Sequence, residues 1–204
     1  MLNSLRDVLN DLVKDLYSAE TQLLKALPKM AKASGDESLK ECFKAHLEET
    51  REQVARLEKI GELLGIKVKG KTCAAMKGLL EEGTEVMGED GEPAAKDAAM
   101  IVSAQKIEHY EIAGYGSAVT FANVLGETEI ATLLGETLEE EKAADMKLTG
   151  IAEATVNDEA DAEEDEDEAE EDEEGDDEQE EDTDEEEEVP AAKSKKGVAV
   201  KSKR

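Results

Sequence analysis

Glutamates interrupt the apolar faces of four predicted helices at similar distances from the turns that join these helices into two pairs. In the first pair, Glu20 lies fifteen residues before Gly35 and Glu49 lies fourteen residues after it. In the second pair, two glutamates lie eighteen and fifteen residues before Gly126, and another lies fifteen residues after it. At a rise of ~1.5 Å per residue, all five lie roughly 20–27 Å from their turns. The spacing predicts one layer of carboxylates across the middle of a helical bundle.

Four long helices are predicted over most of the first 154 residues. The chain has only three prolines and no tryptophan, and its apolar residues recur at steps of three and four, which is typical of amphipathic helices. The breaks at Ser34-Gly35 and Leu125-Gly126 are short, so the helices of each pair must be antiparallel. The predicted helices cover residues 4–33, 36–64, 93–124 and 127–154.

The two predicted hairpins are separated by a long connection, residues 66–92, which should carry one short helix with Thr72 as its N-cap. Gly65 should end the helix before this connection, and Pro93 fits the first turn of the helix after it. Two tight hairpins joined by one long crossover are typical of ferritin-like proteins. We therefore predict an all-α fold, a ferritin-like antiparallel four-helix bundle, over residues 1–156.

The C-terminal part of the chain has a very different composition. Of the 31 residues from 158 to 188, 25 are Asp or Glu and none is Lys or Arg, so most of the net charge of −30 lies here. Six basic residues and no acids follow between 191 and 204. A run with so few apolar groups cannot offset the entropy of ordering. We predict a disordered acidic tail over 157–190 and a short basic segment over 191–204.

The simplest role of this tail is that of a solubilising, self-repelling extension. It could also concentrate metal cations near the bundle or bind basic partner proteins. The basic terminus could touch nucleic acid, but its six charges stand beside 25 opposite ones, so binding to nucleic acid is not expected.

Several classes of protein are disfavoured by the sequence. The chain contains no run of 18 or more apolar residues, so no membrane span is expected. The N-terminal residues mix charged and apolar types and lack a continuous apolar signal segment, which favours a cytoplasmic protein. Cys42 and Cys73 lie in different elements and are predicted to be free thiols rather than a disulfide.

Inward-facing acids are found near the middle of all four long helices. Together they would repel one another strongly unless cations were bound, and two carboxylate-bridged ions would satisfy six ligands. Such oxygen-rich sites suit iron, manganese, magnesium or calcium. The alternative is that some of these acids are solvated flank residues, since glutamate is common on any helix surface. The candidate ligands are Glu20, Glu49, Glu108, Glu111, Glu141 and Asp145.

Three further polar residues could support these ligands. His46 lies one turn before Glu49 and is a ligand, a partner of a ligand, or a core imidazole; the last two readings together are favoured. Gln53 could orient Glu49 or simply fill the interior. Tyr115 could pack in the core with its hydroxyl satisfied, which is the simpler reading, or it could hydrogen-bond a ligand or relay a radical.

At these residues the chain resembles the YciE/YciF-type bacterial stress proteins, a family of the ferritin-like superfamily. The resemblance covers about residues 4–154 and implies a dimerising bundle, a di-metal centre and a stress-associated, ferroxidase-type role. It implies the same six metal ligands. The matching strings are DLYSAETQLLKALPKM, HLEETREQVARLE, EHYEIAGYGSA and LLGETLEEEKAADMKLT.

One departure from broader di-iron proteins affects the expected chemistry. Those proteins usually carry Glu-x-x-His on two helices. Here Glu49 is followed three residues later by Glu52, and Glu141 by Ala144, whereas His46 stands three residues before Glu49. Fewer nitrogen ligands would change the metal preference and the redox potential of the centre, and this weakens the expectation of ferroxidase turnover.

The sequence predicts a cytoplasmic, metal-binding protein, and the resemblance implies that it is homodimeric and acts in a stress response. Its cofactor would be two transition-metal ions, with iron as the first candidate and manganese as the second, and it would oxidise Fe(II) or consume peroxide. The competing hypothesis is a non-enzymatic dimeric stress or interaction protein that acts through its charged tail.

Overall fold

The computed structural model describes residues 2–162, which are helical nearly throughout and contain no β-strand. The predicted all-α fold is confirmed. The last long helix continues through a π-helical turn, Ala152–Val156, into further helix that reaches residue 162. The predicted disorder from residue 157 is wrong for residues 157–162, which are helical; the rest of the predicted acidic tail, up to residue 190, and the basic segment 191–204 lie outside the described residues. The helices are α1 (Leu5–Ala33), α2 (Glu37–Leu64), α3 (Ala74–Gly88), α4 (Pro93–Val124) and α5 (Thr128–Ile151).

Local sequence signals set most of the helix ends. The Asp36 side chain caps α2 by accepting a hydrogen bond from the backbone N–H of Leu39. Gly65 ends α2 in the left-handed region with φ of 67°. Pro93 occupies the first turn of α4, as predicted. The predicted cap of α3 is wrong: Cys73, not Thr72, is the N-cap, and its Sγ accepts from the N–H of Met76.

The four long helices form two antiparallel hairpins, α1–α2 and α4–α5, and these hairpins pack together through α2 against α5 and α1 against α4. The short helix α3 lies in the crossover and packs on α1 and α4. This connectivity is that of a ferritin-like four-helix bundle, and it brings the middle of every long helix to the same level.

The apolar core is divided into two clusters. We call the one at the α1–α2 turn the crossover cluster, because α3 packs on it; it includes Leu27, Leu39, Met76, Ile101 and Leu148. The cluster at the other end of the bundle, which we call the distal cluster, includes Leu16, Leu57, Tyr115, Ala118 and Leu134. The predicted carboxylates fall between the two clusters.

Hydrogen bonds dock the crossover onto the bundle near this level. The backbone N–H of Cys73 donates to Ser18 Oγ at 2.9 Å, and Gln22 Nε2 donates to the Cys73 carbonyl at 3.1 Å. The Cys73 Sγ lies 2.8 Å from the Tyr110 hydroxyl, which donates to Asp15. Cys42 and Cys73 are both buried free thiols, which confirms the prediction that they form no disulfide.

Among the helices of residues 2–162, none combines the length and the apolar content that crossing a bilayer requires.

Candidate metal centre

Each long helix sends at least one ionisable side chain into the layer between the two apolar clusters. The side chains of Glu20, Glu111 and Glu141 are fully buried, Glu108 is 3% exposed, and His46 is 5% exposed. Glu20 comes from α1, His46 from α2, Glu141 from α5, and both Glu108 and Glu111 from α4. Four of the predicted acids therefore converge between the clusters, and α2 contributes His46 to this layer rather than Glu49.

Four of these residues form the tightest group. One ligand atom from each of His46, Glu108, Glu111 and Glu141 lies within 4.8 Å of the others. His46 Nε2 lies 3.5 Å from Glu108 Oε1 and 3.9 Å from Glu141 Oε2. One imidazole nitrogen and three carboxylates at this spacing could surround a transition-metal ion after small side-chain adjustments, since metal–ligand bonds to nitrogen and oxygen are about 2.0–2.2 Å long.

Glu20 lies beside this group and is oriented by a tyrosine. The Tyr115 hydroxyl donates a hydrogen bond to Glu20 Oε1 at 2.5 Å, while Glu20 Oε2 is buried without a partner. Burial raises the pKa of Glu111, and the negative charges of Glu20 and Glu141 raise it further. The tyrosine thus holds one oxygen of Glu20 and leaves the other free.

The unpaired polar atoms of the bundle are concentrated in this layer. In the part of the chain that the structure describes, nine buried side-chain nitrogen or oxygen atoms have no hydrogen-bond partner, and eight belong to this layer. Buried polar atoms are normally paired, because leaving one unpaired costs about 1–3 kcal/mol. Protons or bound cations would remove that cost. The eight atoms belong to Glu20, His46, Gln53, Glu108, Glu111 and Glu141.

Burial also dominates the acid–base properties of the layer. It raises the pKa of Glu108 to about 8, and the charges of Glu20, Asp145 and Glu49 add to the shift. It raises the pKa values of Glu20, Glu111 and Glu141 well above the ordinary value for glutamate. Without a cation, the layer therefore holds protons at neutral pH. A divalent cation that enters the layer would displace those protons.

His46 behaves as a base that faces acids on both sides. Burial by itself lowers the pKa of His46, but the hydrogen bond to Glu49 and the charges of Glu141 and Glu20 outweigh it, so the net shift is upward. Its Nδ1 lies 3.4 Å from Glu49 Oε2. The hydrogen bond from His46 in turn lowers the pKa of Glu49, which is about half exposed.

Two of the six predicted ligands lie at the edge of the layer. Glu49 reaches His46 Nδ1 rather than the interior, and Asp145 accepts a hydrogen bond from Gln105 Nε2 at 3.2 Å. Asp145 also lies 3.5 Å from Nε2 of the exposed His109. The sequence favours His46 as a supporting residue, whereas the structure places its Nε2 in the group with Glu108, Glu111 and Glu141.

Gln53 belongs to a polar network at the edge of the layer, and its contact there is with Glu140 rather than with Glu49; the other members of this network were not predicted from the sequence. Arg56 binds both carboxylate oxygens of Glu140 at 2.8 Å and also donates to Thr137 Oγ1. Gln53 Nε2 donates to Glu140 at 3.1 Å, which leaves the buried Gln53 Oε1 unpaired. The signal for this network in the sequence is position: Arg56 stands one turn after Gln53 on α2, and Glu140 stands directly before Glu141 on α5.

The donor set fits a metal centre. The carboxylates of Glu20, Glu108, Glu111 and Glu141 are hard oxygen ligands, and His46 supplies a nitrogen, a combination that suits iron or manganese. Fold and donor set together define a ferritin-like four-helix bundle with a carboxylate-rich, buried centre.

Comparison with known proteins identifies the family. The family described as a domain of unknown function, DUF892, matches residues 4–161. The chain is 47% identical over 161 residues to Protein YciF of Escherichia coli strain K12, a match that covers 78% of this chain and 97% of the relative. The chain therefore belongs to the DUF892 family, as a protein of the YciF type.

Solved structures of relatives have the same fold. The crystal structure of the E. coli stress protein YciF superposes with a TM-score of 0.74 at 48% identity, and the match covers 76% of this chain and 98% of that one. A putative structural protein from Rhodopseudomonas palustris, named YcfI, matches with a TM-score of 0.70 at 40% identity over 72% of this chain and 94% of that one. The predicted resemblance and the predicted fold are both confirmed.

Proposed function

We propose that this protein binds two transition-metal ions in the layer between its apolar clusters and that the centre oxidises Fe(II) or consumes peroxide. The observation that carries the proposal is the group of four buried ligand atoms within 4.8 Å of one another, nearly all of them without another partner. Iron is the first candidate for the metal and manganese the second, because both accept a set of carboxylates with one imidazole.

The residues divide into two roles in this proposal. His46, Glu108, Glu111 and Glu141 would hold the ions, and Glu20 would add its free Oε2, with Tyr115 fixing the other oxygen. Glu49 and Asp145 lie at the edge of the layer, and we propose them as outer ligands. Bound iron or manganese would supply one-electron redox chemistry toward dioxygen or peroxide.

Several properties of the chain itself would serve such a centre. The two apolar clusters exclude water above and below the layer, which strengthens electrostatic interactions inside it. The carboxylates release their protons when a cation binds, so the layer exchanges protons for positive charge. Gln53, held through Glu140 and Arg56, would present its Oε1 from α2 as a further hydrogen-bond acceptor.

A stress-associated role is supported by the relative whose structure is described as a stress protein of E. coli. The relative from R. palustris is described as a putative structural protein, which favours the competing hypothesis of a non-enzymatic protein. A homodimer in the cytoplasm is part of our proposal for either role.

Metal analysis separates the two hypotheses. The metal-free protein is titrated anaerobically with Fe(II) or Mn²⁺ at physiological salt, the bound metal is counted, and oxygen- or peroxide-dependent oxidation of Fe(II) is then followed. We expect two ions per chain above the background and oxidation faster than in buffer. Tight metal binding without faster oxidation would favour the non-enzymatic protein, and the absence of tight binding would refute the proposed centre.

Variants assign the ligands. Glu111→Gln and Glu141→Gln keep the side-chain size but remove ligand charge, so each should lose most of the tight binding while the helical content is retained. The matched control is Glu85→Gln, which changes an exposed glutamate on α3 and should leave the binding unchanged. Full tight binding by both interior variants would show that other residues hold the metal.

A further inference from the structure

A pocket of about 340 Å³ lies between α2 and α5, directly beside the carboxylate layer. Its outer rim reaches solvent, because Glu139, Ala143 and Lys147 are exposed. Its inner wall reaches the layer, because His46 lines it. Acidic side chains predominate among its charged residues. The lining includes His46, Glu49, Glu139, Glu140, Ala143 and Lys147.

His46 separates this pocket from the buried carboxylates. Its Nδ1 lies 3.4 Å from Glu49 Oε2 at the pocket wall, whereas its Nε2 lies 3.5 Å from Glu108 Oε1 inside the layer. The side chain is almost fully buried, and Nε2 has no hydrogen-bond partner. A single imidazole therefore joins the accessible pocket to the closed centre.

Of the three acids in the lining, Glu49 is the one that forms no ion pair with a lysine or arginine among the described residues. Glu140 is bound by Arg56, and Glu139 forms an ion pair with Lys142 at 2.8 Å. Glu49 is about half exposed and contacts His46. Lys147 supplies the positive charge of this lining, and its charge adds to the hydrogen bond from His46 in lowering the pKa of the Glu49 carboxyl.

We propose that this pocket, which we call the α2–α5 port, is the entry route by which divalent metal cations reach the buried centre. Glu49 is the first ligand, and the His46 side chain is the gate that must shift for the cation to reach Glu108 and Glu141. This inference rests on the proposed metal centre and adds to it the path of loading.

A pocket of similar size on the other side of the bundle is a poor route for cations. It lies between α1, α3 and α4, has a volume of about 290 Å³, and is lined by Lys25 and Lys29 together with apolar side chains such as Met30, Leu80 and Ile107. Its two lysines would repel a cation, and it has no acidic or imidazole group. The charge of the two linings therefore favours the α2–α5 port.

The port is tested by the rate of metal uptake. The full-length metal-free chain is mixed with Co²⁺ in a stopped-flow instrument, and the change in tyrosine fluorescence is followed, since the chain has no tryptophan and Tyr115 contacts Glu20 in the layer. The amount of Co²⁺ bound at equilibrium is measured separately. The main variant is Ala143→Lys, which places a bulky positive charge in the port without changing any proposed ligand.

We expect Ala143→Lys to bind the same final amount of Co²⁺ as the parent but at least about tenfold more slowly, because cations would meet a repulsive charge at the entrance. Ala143→Gln controls for size and should slow uptake less. Ala113→Lys places the same charge at an exposed position of α4 outside the port and should match the parent. Lys147→Gln removes a positive charge from the port and should speed uptake by about threefold.

The possible results distinguish a failure of the proposed port from a failure of the proposed metal centre. Unchanged uptake rates in Ala143→Lys and Lys147→Gln, with full final binding, would overturn the port and leave the metal centre intact. If the parent itself binds no Co²⁺ in the bundle, both proposals fall. If Ala143→Lys does not fold, the rate change in Lys147→Gln decides the question by itself.

Discussion

The two apolar clusters and the polar layer between them have opposite effects on the stability of this bundle. Side chains in the clusters, such as Leu57 and Leu134, are fully buried, and each contributes roughly 1.5–3 kcal/mol through its removal from water. Side chains in the layer, such as Glu111 and Glu141, are buried to the same extent but leave both carboxylate oxygens unpaired. The clusters stabilise the fold without any partner, whereas the layer needs protons or cations.

This difference means that the ends and the middle of the helices have different roles. The ends of the bundle hold the four helices together, and so the middle can tolerate a group of acids that would not fold by itself.

The pH dependence of stability should show how strongly the buried carboxyls of the layer destabilise the fold when they ionise. The folded-state pKa of Glu108 is raised to about 8, so its contribution to stability is fully present below the unfolded value of about 4.5 and is lost as the pH rises through 8. The metal-free parent should therefore lose stability relative to Glu108→Gln by up to about 1.4 kcal/mol per pH unit in this range. Denaturant unfolding with EDTA at pH 5, 6, 7 and 8 measures the difference. A difference that stays constant with pH would contradict the buried, protonated state of Glu108.

Truncation in an apolar cluster should be costly under every condition. Leu57 is fully buried in the distal cluster, so Leu57→Ala should destabilise the bundle by about 2–5 kcal/mol, with or without metal. Leu57→Met, which nearly conserves volume, should cost less than about 1.5 kcal/mol. Denaturant unfolding of both variants gives the comparison. A loss below about 1 kcal/mol in Leu57→Ala would mean that this cluster does not hold the hairpins together.

Metal should stabilise the parent through the layer. At a free metal concentration 100 times the Kd, binding adds about 2.7 kcal/mol to the free energy of unfolding. Glu111→Gln should lose this gain, while its metal-free stability should be equal to or above that of the parent because one ionisable group has left the layer. Unfolding curves with and without Mn²⁺ test both points, with Glu85→Gln as the exposed control. Equal metal stabilisation in Glu111→Gln would exclude this residue as a ligand.

The network beside the layer should have a smaller effect. Arg56→Gln removes both hydrogen bonds to a partly buried Glu140 and should cost about 1–3 kcal/mol. The control is Arg51→Gln, which removes an exposed pair with Glu48 and should change stability by less than about 0.5 kcal/mol. Thermal or denaturant unfolding measures both. Similar losses in the two variants would mean that the Arg56 network gives the layer no special support.

Much of this structure follows from local sequence. The apolar spacing and the breaks at Gly35, Gly65 and Gly126 predict all four long helices to within a few residues, because capping and periodicity act over one or two turns. The end of α5 was harder to predict, because its helical residues continue through the π-helical turn to residue 162, and acidic residues there carry no stop signal.

The cap of α3 shows where local signals fail. Thr72 and Cys73 adjoin, and threonine has the stronger intrinsic preference for the N-cap. The backbone of Cys73, however, is fixed by Ser18 and Gln22 of α1, and its thiol contacts Tyr110 of α4. These contacts with distant parts of the chain place Cys73 at the cap, and no local preference contains that information.

The sequence by itself determined the level of the centre, because the rise of a helix converts residue counts into heights, and Glu20, Glu111 and Glu141 all lie fifteen residues from a turn. Only the tertiary structure decided which side chains enter it. His46 and Glu49 share one face of α2, yet His46 points to the interior and Glu49 to the port, because the rotation of α2 against α1 and α5 sets the two directions. Periodicity defines a face, and the packing of neighbouring helices decides which part of that face is closed to water.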